Sequence, residues 1–381
     1  MSVVYPRPWV KISGVQIPAI EIQVTRKAER SADRFHARLS LTKAGRYGLA
    51  LNDFADWKPQ DVEVMASIAP GGGDAQTVIL GRVDEPEICW KDMTVTLDGR
   101  DKSSLLTEKR RSEKFANQKT KDIIEKIAKD HKLMAHVQSD AGYAGKIHTQ
   151  DHAHLALNRT DYDILSDLAE REGCRWYVDG NDLYFEPKDT DNGTVEVYWY
   201  PPGAVEAYTV SNALDLKTRR NMTAARPHRM RHRSWHSYDA AQHEATAEMG
   251  GVGEPLEFEH HHNGKKLDQI EALAKGRLKN ATRHDLTIHV EMSLDLTVTP
   301  RKRLNLRGTG TIYDQGYDID GVEIDMGWER PALMELDAKS AKDGRATGQG
   351  SSSEGAGTGK ANMPETPART PAQASYPPGG A

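Results

Sequence analysis

The sequence predicts an α+β chain that is mainly β. It should hold two barrel-like β domains, small α/β inserts built from a helix plus a β-hairpin, and a disordered C-terminal tail. Three observations carry this. Short runs alternating apolar and polar residues, broken by Gly, Pro and Asp, fill the first hundred residues and return after residue 195. Between them the apolar period lengthens to that of an amphipathic helix. Beyond residue 337 no apolar period remains.

Residues 1–105 read as the first β domain. Val10–Ser13 stops at Gly14, and Ile20–Val24 and Phe35–Leu41 alternate. Asp61–Met65 and Val78–Leu80 flank a Pro70–Asp74 turn, and Glu87–Trp90 and Met93–Leu97 follow.

Residues 106–190 read as the insert. A helix over 121–132 puts Ile123, Ile124, Ile127 and Ala128 on one stripe, with Thr120 as candidate N-cap. A second helix over 161–172 has clearer ends. Thr160 can cap it, Asp161 and Asp163 suit its first turn, and Gly173 suits its stop. Its apolar face is Ile164, Leu165, Leu168 and Ala169. A hairpin over 175–185 follows, turning through Asp179-Gly180-Asn181-Asp182.

Residues 191–336 read as the second β domain. Strand-like stretches fall within Val195–Val210, and strand-like runs cover Thr287–Val290, Leu294–Val298, Leu304–Leu306, Tyr317–Ile319 and Val322–Met326. Within it, 219–235 is Arg-rich and 239–253 is weakly patterned, the mark of a long loop. A third helix over 267–279 lines up Ile270, Leu273, Ala274 and Leu278. Residues 337–381 are dominated by Gly, Ser, Ala, Thr and Pro. They cannot bury enough surface to offset their ordering entropy, so this tail is expected to be disordered or ordered only by a partner.

Composition narrows the function. At about 100–200 residues per domain, 381 residues suggest two or three. An apolar fraction of 37% leans toward much exposed or inter-subunit surface. The net charge of −5 gives no overall basic excess, so composition does not favour a nucleic-acid binder. Met1–Trp9 lacks the charged and apolar regions of a signal peptide, and no run of apolar residues is long enough to span a membrane. Cys89 and Cys174 stand apart without CxxC spacing, as expected for folding in a reducing cytoplasm. A single bridge between them stays open.

Several clusters invite a chemical role. His260-His261-His262 lies near Glu257 and Glu259, but adjacent residues of an extended chain face opposite ways. A solvated loop before the third helix is the plainer reading. His148, His152 and His154 lack the carboxylate partners of a HExxH signature and read as a polar linker. Arg226, Arg229, Arg231 and Arg233, with His228 and His232 beside Trp235, make a local basic patch. It suits passing nucleic acid or an acidic partner, and more simply a salt-bridged strand or loop. There is no GxSxG, no Walker lysine loop and no Cys with an evident His base. Asp98-Gly-Arg-Asp101 reads as a strand end that caps the next segment. No catalytic, cofactor-binding or metal-binding residue is therefore assigned, and no enzyme is expected.

Three stretches resemble the phage late control D, or tail baseplate hub, family. The first is Gly81-Arg-Val-Asp84 followed by Val95-Thr-Leu-Asp-Gly-Arg-Asp-Lys-Ser-Ser-Leu-Leu106, with Asp33-Arg-Phe35 ahead of it. The second is Thr160–Ala169 with Gly173 and the Tyr177…Leu183-Tyr-Phe185 hairpin. The third is the helix at 267–279 with the strands to Val322. The resemblance implies a homotrimeric ring in which six barrels mimic six-fold symmetry. That ring joins the tail tube protein to the central spike protein, touches other baseplate or tape-measure proteins, and surrounds a channel through which DNA passes transiently. It implies a place in the virion tail after synthesis in the host cytoplasm. Where that family often has Gly-Asp followed by Pro-Gly, this sequence has Thr299-Pro-Arg-Lys-Arg303. No lysozyme or peptidase domain is fused, so no lytic activity carries over. A cell-wall-degrading tail enzyme and a secretion-system spike component are the alternatives.

Overall fold

A computed structural model describes residues 6–29, 31–67, 72–113, 115, 118–138, 158–236, 241–251, 253–265 and 267–340. The expected turn residues Pro70 and Gly71, and the tail from residue 341, lie outside the described residues.

The first six strands close into an antiparallel barrel. They are β1 (Arg7–Ile12), β2 (Val15–Lys27), β3 (Arg34–Ser40), β4 (Asp61–Ser67), β5 (Gln76–Cys89) and β6 (Thr94–Asp101). Pairing runs β1-β4-β5-β6-β3-β2 and returns from β2 to β1, so no edge is left open. The alternation read from sequence is the cause. Val10, Ile12, Ile22, Val24, Phe35, Ala37, Leu39, Val62, Val64, Val95 and Leu97 point inward and are buried. Ser13 (φ 50°) and Gly14 (φ 83°) make the tight β1–β2 turn, both in the left-handed region that such a turn requires. Gly99 permits a close approach: a Cβ there would lie 2.4 Å from the Phe35 ring and 2.3 Å from the Arg82 carbonyl oxygen.

The described residues of 102–187 form the insert, with their own core. Helix α1 (Thr120–Asp130) and helix α2 (Asp161–Glu172) pack on a small sheet of β7 (Met134–Val137), β8 (Cys174–Asp179) and β9 (Asp182–Pro187). The β8–β9 hairpin is antiparallel and β7 runs parallel to β9. Thr160 caps α2 as expected, accepting the Asp163 N–H at 3.1 Å, and Gly173 takes the left-handed conformation just past its end. Helix α1 begins one residue earlier than the sequence suggested. Its N-cap is Lys119, and Thr120 instead hydrogen-bonds Glu172 across the core.

Seven strands form the second curled sheet. They are β10 (Thr194–Tyr200), β11 (Val210–Ser211), β12 (Asp215–Arg220), β16 (Leu286–Ser293), β17 (Arg303–Arg307), β18 (Gly316–Gly327) and β19 (Leu333–Ser340). The order is β11-β10-β17-β18-β19-β16-β12, so the two end strands are consecutive in the chain. This sheet is continuous with the first barrel, because Glu21–Lys27 of β2 pair with Gly327–Gly321 of β18. Both sheets share one apolar core, running from Val10 through Ile22 and Val24 to Ile324 and Leu336.

Two expectations fail here. Leu294–Val298 is not a strand, because Asp295 accepts the Thr297 N–H at 2.9 Å and closes a turn. Asp337–Ser340, assigned to the tail, completes β19, and Ala338 and Ser340 are buried.

Strands β13 (His228–His236), β14 (Ala241–Met249) and β15 (Leu256–Asn263) form a separate small sheet in the order β14-β13-β15. Helix α3 (Leu267–Thr282) covers one of its faces, seating Ala274 and Leu278 on Met230 and Ala247. Ala241–Met249 of the loop expected over 239–253, and all of the loop expected at His260–His262, are therefore strand. No helix among the described residues is long and apolar enough to cross a membrane.

Candidate functional site

The Arg-rich segment is the central strand of the small sheet. Strand pleating sends Arg229, Arg231 and Arg233 to the face away from α3. The flanking strands present glutamates to them. Arg229 meets Glu248 at 2.6 Å and Glu257 at 2.7 Å, and Glu244 lies 3.3 Å from Arg231 and 3.1 Å from Arg233. Arg233 also pairs with Glu259. Of the two readings, the salt-bridged strand is the one found. The patch is locally neutralised and offers no run of free cations to a phosphate backbone.

The opposite face collects histidines. His232 is fully buried, and its Nδ1 lies 2.9 Å from His262 Nε2. Its ring centre is 4.9 Å from that of His260. Burial, then the neighbouring His262 and His260, pull His232 down to about 4. Burial, then Arg277 of α3, lowers His260 and His262 as well. All three rings are neutral near pH 7. His261 faces the other way, 3.8 Å from Glu259. Among the described residues no three His, Cys, Asp or Glu side chains converge as metal ligands. His148, His152 and His154 lie outside the described residues. Cys89 is exposed and Cys174 is buried, and both are free thiols.

The third gathering of polar groups lies where the insert meets both sheets, and sequence reasoning missed it. A cleft there is lined by Asp33, Asp101, Ser103, Trp176, Tyr177 and Arg301 among others. Asp33 accepts the Lys27 N–H at 2.8 Å and pairs with Arg26 Nε at 3.3 Å. Arg26 reaches on to Asp179 of the hairpin at 3.2 Å. Lys102 bridges Asp61 at 2.6 Å and the Asn181 side-chain oxygen at 2.5 Å. From the second sheet, Arg301 lays its guanidinium 3.7 Å from the centre of the Tyr177 ring and donates to the Lys27 carbonyl at 3.4 Å. Arg301 holds φ at 82°, a conformation costing on the order of 1–3 kcal/mol outside glycine.

Charge in this cleft is unevenly matched. Asp101 accepts from Ser103 Oγ at 2.6 Å, the strand-end cap expected of it, and has no cation within 4 Å among the described residues. Burial, then the neighbouring Asp33 carboxylate, pushes Asp101 up to about 7. Burial also raises Asp33, against the pull of Arg26, and lowers Arg301. Tyr177 is pushed up to about 12 by burial. In sequence the Asp33-Arg-Phe35 and Gly-Arg-Asp101 stretches, Tyr177 of the hairpin and Thr299–Arg303 stood as separate features, with nothing to bring them together.

Comparison with solved structures identifies the architecture. The tail protein from Neisseria meningitidis MC58 superposes with a TM-score of 0.65 at 13% identity, covering 88% of this chain and 97% of that one. The prophage MuSo2 43 kDa tail protein from Shewanella oneidensis gives 0.62 at 13% identity, over 87% and 97%. An E. coli protein described as a component of the type VI secretion system gives 0.50 at 12% identity, over 89% and 79%. At such identities the likeness is one of fold. No curated protein matches the sequence. The family model for the phage tail baseplate hub (GPD) matches residues 31–326, which take in the first barrel from β3 onward, the insert, the small sheet and the second sheet as far as β18. The chain therefore belongs to the phage tail baseplate hub family.

Proposed function

We propose that this chain is a non-enzymatic structural subunit of a tail baseplate. Three copies would form a pseudo-six-fold ring joining the tail tube to the central spike and surrounding the DNA channel. The observation carrying this reading is the fusion of two curled sheets through one strand. β2 closes the first barrel against β1 and continues into the second sheet against β18. Two barrel-like units held rigidly in one chain become six in a trimer, which suits a junction between six-fold and three-fold partners. The same reading divides the chain into barrel-like units at 1–105 and 191–340, an insert at 106–190 and a tail beyond residue 340. Exposed apolar side chains support inter-subunit contact: Trp90, 64% exposed, and Met93 sit at the β5–β6 hairpin. Native mass spectrometry of the full chain is expected to show a trimer that binds tube or spike protein. A monomer at high concentration that binds neither would overturn the proposal.

A second reading, a spike component of a secretion system, rests on the fold likeness to the E. coli type VI component. It predicts co-purification with a secretion spike and not with virions.

A further inference from the structure

We propose that Asp33, Asp101 and Arg301 form a proton-controlled clasp that seats the insert against the two sheets, closed while Asp101 holds a proton and loosened when it is lost. The inference stands on the junction alone and does not need the trimer.

The geometry has three parts. Elements far apart in sequence meet at one cleft: the end of β2, the end of β6, the β8–β9 hairpin and the turn before β17. The hairpin is held there by polar contacts, namely Arg26–Asp179, Lys102–Asn181, Lys188–Glu29 and the Arg301–Tyr177 stack. The insert keeps its apolar core to itself, so seating depends on this polar joint. Arg301 lies in the turn before β17, and its strained backbone aims a buried cation at the hairpin.

Asp101 is the group through which a proton acts. Facing it are Asp33 beside β3, Arg26 from β2, Ser103 from its own turn, and Tyr177 and Arg301 across the cleft. Arg26 is committed to Asp33 and Asp179, and Arg301 to Tyr177 and the Lys27 carbonyl. A charged Asp101 therefore has a like charge as near neighbour and no ion-pair partner in a buried place. Seating holds Asp101 protonated up to about pH 7, whereas a solvated aspartate loses its proton near 4. The seated state thus binds the extra proton. Its advantage is complete below about 4 and is lost as pH rises through about 7.

Hydrogen exchange of the full chain between pH 5.5 and 8.5, corrected for intrinsic rates, reads this directly. Protection of Cys174–Pro187 is expected to fall about tenfold or more, which is one unit of linkage, while β3 and β6 keep theirs. Asp101→Asn keeps the shape and the Ser103 hydrogen bond without the charge. It is expected to hold the acid-level protection at pH 8.5. Should that variant misfold, Asp33→Asn removes the neighbouring charge, and the wild-type step is expected to end at lower pH, because a charged Asp101 then lacks its repelling neighbour. A flat wild-type profile, a step shared by the barrel strands, or an unaltered step in Asp101→Asn overturns the clasp.

Discussion

Asp161 shows how much one buried carboxylate can organise. It is the first residue of α2, fully buried, and it accepts from both Arg111 nitrogens facing it, Nη2 at 3.0 Å, and from His131 Nε2 at 2.7 Å. Burial by itself raises such a carboxyl. The hydrogen bonds from His131 and Arg111 outweigh it and hold Asp161 below the usual range. Arg111 is itself buried and pairs in addition with Asp130 at 2.7 Å. Asp161→Asn removes the charge and leaves Arg111 half-compensated. The expected cost is roughly 3 kcal/mol, read by denaturant unfolding at pH 7. The sign in pH follows. A carboxyl held low contributes stability above about 4 that is lost as pH falls through its folded value, so the variant should lose less than wild type on acidification. Equal stability of the two at pH 7 would sink the assignment. In sequence Asp161 was legible only as a helix first-turn acid, because Arg111 stands 50 positions away.

At the scale of elements, the small sheet separates stability from surface charge. Its outer Arg–Glu lattice is half-exposed, where ion pairs contribute little. Its inner face is sealed by α3 through Leu278 and Ala274 on Met230 and Ala247. Leu278→Ala is therefore expected to cost roughly 2–4 kcal/mol and to expose β13 and β14 to hydrogen exchange. Glu244→Gln should cost less than about 1 kcal/mol. The opposite ranking would mean that the lattice holds the sheet. This element was the least legible in sequence. The inward side chains of β14 include Ala245 and Ala247, small residues with weak strand preference over which a helix lies close. β15 carries only Leu256 and Phe258 as apolar residues on its inner face, followed by His260 and His262, which meet His232 from another strand. Helices α2 and α3 were legible because caps and an apolar stripe are local. Leu294–Val298 misled for the converse reason: its alternation is real, but Asp295 satisfies the backbone first.

For the whole molecule, the shared strand decides how the parts fail. Ile22 is fully buried in β2, opposite Ala37 of β3 on one side and Met326 of β18 on the other. Its side chain belongs to the single core that both sheets line, while the insert keeps a separate core around Ile124, Leu165 and Phe185. Removing apolar volume at Ile22 therefore withdraws packing from both sheets at once and touches the insert only through its polar joint. Ile22→Ala is expected to cost roughly 2–5 kcal/mol. The loss should appear equally in the exchange of β3, β6, β18 and β19, with α2 unchanged at a fixed pH. Loss confined to β1–β6 would show two sheets that unfold independently, and the rigid pairing of barrel-like units on which the ring proposal rests would go with it. The alternation marked each strand of this core locally. The β2–β18 pairing joins residues about three hundred positions apart, which no local pattern encodes, and it makes one body of what the sequence presents as two.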